Sequence, residues 1–198
     1  MKTKEYVVNS NGDGMSDALE ATEVVGTACG LSRKEVLRLR LLAEELFGMF
    51  RGITGGFEAC YSVEERDKCF VLRLTGQPVL NQATRKKFLA VSSKRQDRTP
   101  KSFMEKLRNM ITSKLFAEQE EASLFSLGMM SRSVSNDSSY YWTLQSYKEG
   151  VEDELAQNGA AKDAWDEMER SIVANIADDI RVNIKSASVE INIIKAFA

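Results

Sequence analysis

Hydrophobic and polar residues alternate along residues 57–74, which is the pattern of a half-buried β-hairpin. A two-residue turn centred on Arg66 and Asp67 pairs Val63 with Phe70. With this register every apolar residue of both arms lies on one face. The pattern therefore predicts two antiparallel strands whose apolar face needs a cover.

The same alternation returns near the end of the chain, over residues 180–193. A turn over residues 185–188 pairs Ile184 with Val189 and again gathers the apolar residues on one face. Residues 4–9 form a further short strand at the beginning of the chain. Together these patterns predict about five strands.

Apolar residues at helical spacing predict helices that can cover such a sheet. One helix covers residues 17–29, with Ser16 or Asp17 as its N-terminal cap and Gly30 at its end. Another covers residues 163–177 and leads into the second hairpin.

A third helix, residues 33–53, has the clearest start in the chain. Ser32 and Glu35 have the spacing of a capping box, in which the serine oxygen accepts a free backbone amide and the glutamate reaches back to the cap. The elements together predict an α+β fold, a two-layer α/β sandwich. Its mixed sheet of about five strands has helices on one face. We expect a single domain over residues 1–198, with a mostly helical insertion at about 81–159.

Composition narrows the chemistry. The chain has 198 residues, a net charge of −2 and no histidine, so Ser-His-Asp catalysis and most zinc sites are excluded. The three cysteines, Cys29, Cys60 and Cys69, show no CxxC spacing. We expect them to be reduced, small buried residues of a cytoplasmic protein, and Cys60 and Cys69 not to pair across the hairpin. No segment has the length and apolarity of a membrane span, so no membrane partner is expected.

The element order and the segment Leu41–Met49 (LLAEELFGM) resemble the GHKL, or Bergerat-fold, ATP-binding domains, in particular the anti-sigma-factor serine kinases. In that family the segment called the N box carries a glutamate that orients the attacking group and, four residues later, an asparagine that holds magnesium. The resemblance places Glu44, with Glu45 beside it, at the catalytic glutamate and Gly48 at the asparagine. Glycine has no side chain to ligate a metal. The alternative is that both glutamates are solvated helix residues, with Arg40 as an ion partner of Glu44.

A second segment of the resemblance follows the first hairpin. In the family an aspartate there reads the adenine amino group and a glycine pair follows it. This chain has Thr75 and Gly76 at those positions, with no aspartate. Thr75, Gly76 and Gly48 are therefore degenerate nucleotide-pocket positions.

The resemblance implies a regulatory protein with a degenerate, non-catalytic nucleotide-binding domain that binds another protein. In that case neither ATP nor magnesium is a cofactor. The alternative is an active ATP-dependent serine protein kinase, in which Glu44 is the base and ATP and magnesium bind. A second alternative is a nucleic-acid-binding protein that uses residues 85–114, which contain ten Lys or Arg and only two acidic residues. We expect those charges to form a solvated helix face and nucleic acid not to be a partner.

The loop after the first strand has the spacing of a calcium-binding loop, with oxygen-bearing side chains at Asn9, Asn11, Asp13 and Glu20. A strand precedes it, however, rather than the helix of an EF-hand. A glycine-rich turn from strand to helix explains the same residues, so we predict no metal site.

Overall fold

The computed structural model describes most of the chain outside its middle third. The described residues are 1–54, 56–78, 140–158, 162, 165, 166, 168, 171–185 and 188–197. The predicted insertion up to residue 139, including the basic stretch 85–114, lies outside them.

The described elements are six strands and four helices. In chain order they are β1 (Tyr6–Asn9), α1 (Met15–Ala28), α2 (Arg33–Thr54), β2 (Phe57–Arg66), β3 (Cys69–Pro78), β4 (Tyr140–Thr143), α3 (Leu144–Asn158), α4 (Ile172–Ile176), β5 (Asp179–Lys185) and β6 (Ser188–Ala196). They form an α+β fold with one six-stranded sheet, in the order β1-β2-β3-β6-β5-β4. Both hairpins therefore belong to the same sheet, because β3 pairs with β6.

The prediction of a mixed sheet is wrong, because every neighbouring pair of strands is antiparallel. The connection between β1 and β2 shows why. A single crossover helix would bring the chain back in parallel. Here two helices, α1 and α2, intervene. The second helix reverses the direction once more, so β2 runs against β1.

The prediction of five strands is also wrong, and the sixth strand is β4. It has four residues, Tyr140–Thr143, and lies in the stretch predicted as helical insertion. So short a segment carries no readable alternation. Pairing with β5, which opposes Trp142 to Val182, fixes it as a strand.

The first hairpin has the predicted faces but a different register. Val63 opposes Leu72 rather than Phe70. The turn residues are Asp67 and Lys68, with φ of 53° and 59°. Two left-handed residues are what a type I′ hairpin turn requires. A shift of two residues leaves every apolar side chain on its original face, so alternation alone could not detect it.

The second hairpin has the predicted register, with Ile184 opposite Val189. Its six alternating apolar residues are all fully buried: Ile180, Val182, Ile184, Val189, Ile191 and Ile193. The helices cover this face of the sheet. α2 lies over β2, β3 and β6, and α1 lies over β1 and β2.

The start of α1 differs from the prediction. Neither Ser16 nor Asp17 caps it; the cap is Gly14, with φ of 72°. A Cβ on Gly14 would collide with the carbonyl oxygen of Val7, so the close return of the chain to β1 sets the start of the helix. The end is as predicted, with Gly30 in a left-handed conformation immediately after the cap.

The predicted helix 163–177 is not continuous. Trp165, Asp166 and Met168 are helical, but Ser171 is extended, with ψ of 118°. Its hydroxyl accepts a hydrogen bond from the backbone amide of Ala174, so Ser171 begins the separate helix α4. A serine oxygen that satisfies a free amide is a strong helix start.

Cys60 and Cys69 follow the alternation of their strands rather than their hydrophobicity. Cys60 lies between two buried residues of β2 and is exposed, so its predicted burial is wrong, while Cys29 and Cys69 are half-buried. Cys60 opposes Thr75 and Cys69 opposes Arg66, which confirms that these two cysteines do not pair across the hairpin.

The capping box of α2 is confirmed and predicts a measurable contribution to stability. The Ser32 hydroxyl donates to a Glu35 carboxylate oxygen at 2.6 Å, and the Ser32 amide donates to the same oxygen at 2.7 Å. We expect Ser32→Ala to lower the free energy of unfolding by about 1 kcal/mol in urea denaturation. Ser16→Ala is the matched control and should change it little, because Ser16 is not a cap.

The same substitution has a pH signature. The hydrogen bonds from Ser32 lower the pKa of Glu35 below its ordinary value of 4.5. A carboxyl whose pKa is depressed on folding stabilises the protein above its unfolded pKa and loses that effect as pH falls through the folded value. The stability difference between the wild type and Ser32→Ala should therefore shrink below about pH 4.5. A difference that grows on acidification would contradict this assignment.

Replacing glycine by alanine should have opposite effects on stability at Gly76 and at Gly150. A Cβ at Gly76 would lie 2.6 Å from the Ala59 Cβ and 2.6 Å from the Glu58 carbonyl oxygen. We expect Gly76→Ala to lower the free energy of unfolding by about 1–3 kcal/mol. Gly150 in α3 has no described atom within 4 Å of such a Cβ, so Gly150→Ala should raise stability by up to about 1 kcal/mol. Equal effects in chemical denaturation would refute the close approach of β2 to β3.

Candidate functional site

Glu44, the predicted catalytic carboxylate, lies in an ion network that joins α1 to α2. Its Oε1 accepts a hydrogen bond from Arg40 Nε at 2.9 Å, and Arg40 also donates to Glu23 on α1. The Glu44 side chain is 44% exposed. The hydrogen bond to Glu23 is the largest cause of a raised pKa of Arg40, and the hydrogen bond to Glu44 is the second. Glu44 is therefore an exposed residue with an intramolecular partner, as the alternative interpretation of the sequence expected.

Gly48 lies one helical turn after Glu44, on the same exposed side of α2. Apart from its chain neighbours and the adjacent backbone of α2, no atom of the described residues lies within 4 Å of the position that a Cβ would take there. Glu45 is half-buried beside them. The spacing of four residues thus places Glu44 and Gly48 on one exposed face of the helix.

Thr75 and Gly76 lie inside β3 rather than in a loop. The Thr75 hydroxyl is 3.4 Å from Glu190 Oε2, across the junction with β6. Gly76 is buried on the core side, directly opposite Ala59. Successive side chains of a strand point to opposite faces, so the Thr75 side chain is on the face of the sheet away from α2.

The predicted nucleotide positions therefore lie on two sides of the sandwich. Glu44 and Gly48 are on the outer side of the helical layer, and the Thr75 side chain is on the outer side of the sheet. The buried core lies between them. The structure brings Glu44 and Gly48 together and does not bring Thr75 to them.

The calcium-like loop is closed by its own side chains. Asn9 Oδ1 accepts hydrogen bonds from the Asn11 and Asp13 amides, and Asn9 Nδ2 donates to the Asp13 carboxylate at 2.8 Å. Glu20 is exposed on α1. Among the described residues no three Cys, Asp or Glu side chains come together in a way that could hold a metal ion.

The sheet face away from the helices carries a polar network that sequence reasoning missed. Arg73 Nε donates to Asn192 Oδ1 at 3.0 Å, and Asn192 Nδ2 donates to Glu190 Oε1 at 2.8 Å. Beside them Arg181 pairs with Asp179 at 2.8 Å. These residues occupy the polar positions of the alternation, but only the structure shows that β3 is the neighbour of β6.

A shallow polar cavity of about 630 Å³ lies at the turn of the first hairpin, lined by Met1, Lys2 and residues 64–68. Glu65 accepts a hydrogen bond from the Lys68 amide, which is the main cause of its lowered pKa. Burial, followed by the neighbouring Glu65, raises the pKa of the Cys29 thiol. A thiol with a raised pKa is a poor nucleophile, so Cys29, which neighbours Glu65 but does not line the cavity, shows no sign of activation.

None of the helices in the described part of the chain is long and apolar enough to cross a membrane. Comparisons with protein-family models, with curated proteins and with solved structures yield no match for this chain.

The ion network around Arg40 contains two pairs whose coupling energies can be measured separately. Arg40–Glu44 is an i,i+4 pair within α2, whereas Arg40–Glu23 links α2 to α1. All three side chains are more than a third exposed, so we expect each pair to contribute only about 0.2–1 kcal/mol. Double-mutant cycles with alanine in urea denaturation measure both energies, and both should fall when salt is raised to about 1 M. A coupling energy that does not depend on salt would contradict the exposed geometry.

Proposed function

We propose that this chain is a non-catalytic regulatory protein, with a scaffold that resembles the GHKL ATP-binding domain, and that it acts by binding another protein. The observation that carries this proposal is the placement of the nucleotide positions. Glu44 is engaged by Arg40, Gly48 lies in open space, and the Thr75 side chain lies beyond the sheet. The scaffold itself is intact, because one continuous buried core includes residues of both hairpins.

The expected loss of nucleotide affinity follows from the missing groups. Gly48 offers no side chain to a metal, and Thr75 offers no carboxylate to an adenine amino group. A lost charged hydrogen bond costs about 1.5–3 kcal/mol. Two such losses weaken a micromolar site by roughly 10²- to 10⁴-fold, to the millimolar range.

Calorimetric titration with magnesium-ATP tests the proposal directly. We expect no saturable binding below about 1 mM and no hydrolysis above background. Glu44→Ala should change neither result. Its matched control is Glu45→Ala, which removes a neighbouring carboxylate that forms no ion pair among the described residues.

The serine-kinase alternative predicts a different outcome of the same titration. Micromolar binding that Glu44→Ala abolishes and Glu45→Ala preserves would refute the proposal and establish an active nucleotide site. Transfer of phosphate to a serine of a partner protein would then be the reaction to assay.

A further inference from the structure

One side of α2 is exposed along the helix except at Leu41 and Glu45, which are half-buried. The opposite side supplies seven buried residues to the core: Leu39, Leu42, Ala43, Leu46, Phe47, Met49 and Phe50. The solvent side, here called the outward stripe, consists of Lys34, Leu37, Arg38, Leu41, Glu44, Glu45, Gly48 and Gly52. Between its charged residues the stripe carries Leu37, which is 55% exposed, and Gly48, which has no side chain and no described atom packed against it from outside the helix. Charged residues lie along its edges.

The outward stripe is complementary to itself when two copies run antiparallel. With a two-fold axis at Leu41, the two Leu41 side chains meet, and Leu37 of one copy lies between Glu44 and Gly48 of the other, on the same edge. A leucine then fills the space that glycine leaves, and the helix backbones can approach closely. A two-fold axis uses the same surface on both copies, as most homodimers do.

The charges match in the same arrangement. Lys34 and Arg38 lie before Leu41, and Glu45 lies after it on the same edge of the helix. In an antiparallel pair equivalent edges face each other, so Glu45 of one copy comes between Lys34 and Arg38 of the other. Among the described residues these three side chains form no ion pair, so they are available for these contacts. A parallel pair would instead bring opposite edges together, so the edge with Lys34 and Arg38 would face the edge with Leu37 rather than Glu45.

We propose that two copies of this chain associate through the outward stripes of α2, antiparallel and centred on Leu41. The inference is independent of whether the protein binds ATP. A single pair of helices buries less than a standard interface, which places the dissociation constant on the order of 10–100 µM.

Sedimentation equilibrium of the full chain, from about 5 to about 500 µM, measures the association. The buffer needs a thiol reductant, because Cys60 is exposed and could cross-link copies by oxidation. We expect the wild type to pass from monomer to dimer within this range. Leu37→Glu should weaken the dimer by at least about 10-fold. Val7→Glu should not, since Val7 is 63% exposed but lies on the other face of the sheet.

Charge reversal tests the orientation. Arg38→Glu or Glu45→Arg alone places like charges together at both symmetric contacts, and each should weaken the dimer by about 10-fold. The chain that carries both substitutions has the net charge of the wild type and again opposes unlike charges at residues 38 and 45, although Lys34 then faces a like charge. Its dissociation constant should therefore fall below those of both single variants without reaching the wild-type value. Circular dichroism confirms that each variant is folded.

Three results would overturn the inference. The first is a wild type that stays monomeric over the whole range, which would leave the outward stripe to a different protein. The second is an equal effect of Leu37→Glu and Val7→Glu. The third is a double reversal that fails to recover association when the single reversals lose it.

Discussion

Burial of one face of the β2–β3–β6–β5 sheet by α2 is the constraint on which the rest of this structure depends. These four strands alternate so regularly that each has a fully buried row, and α2 lies across three of them. The core accepts almost no polar atoms. Its clearest exception is the Thr22–Tyr61 hydroxyl pair at 2.8 Å, where Thr22 also donates to the Ala18 carbonyl oxygen. Burial raises the pKa of Tyr61, so the ring stays neutral and the pair is fully satisfied.

This constraint determines where chemistry can occur. A helix has only one side for the core, so fixing the buried residues of α2 leaves Glu44 and Gly48 on the outer side. A strand has two faces, so fixing Leu74 in the core sends the Thr75 side chain to the far face. The two groups of candidate residues are therefore separated by the packing that stabilises the protein. A site that used both would need a different register of β3 or a different rotation of α2.

The sequence predicted faces better than it predicted pairings. Period-two alternation identified the buried side of both hairpins, but only the turn selects among registers that differ by two residues. Asp67 and Lys68 adopt left-handed conformations without a glycine, so no sequence signal marked that turn. The start signal worked at Ser32, where a capping box marks the helix, but the Ser171 cap of α4 was missed. The signal also failed at Gly14, where the path of the backbone decides the start. The candidate site was harder still, because helical spacing relates Glu44 to Gly48 but says nothing about how either lies relative to β3.

Gly48 is a residue that packing in the described part of the chain does not explain. Glycine in the middle of a helix costs about 1 kcal/mol relative to alanine, and the space around it would accept a side chain without any contact. Gly76 shows the contrast, since Ala59 and Glu58 leave no room for a Cβ there. Packing among the residues that the structure describes therefore requires a glycine at residue 76 and not at residue 48. A second helix against the outward stripe gives Gly48 the role that β2 gives Gly76, which is to let another backbone approach.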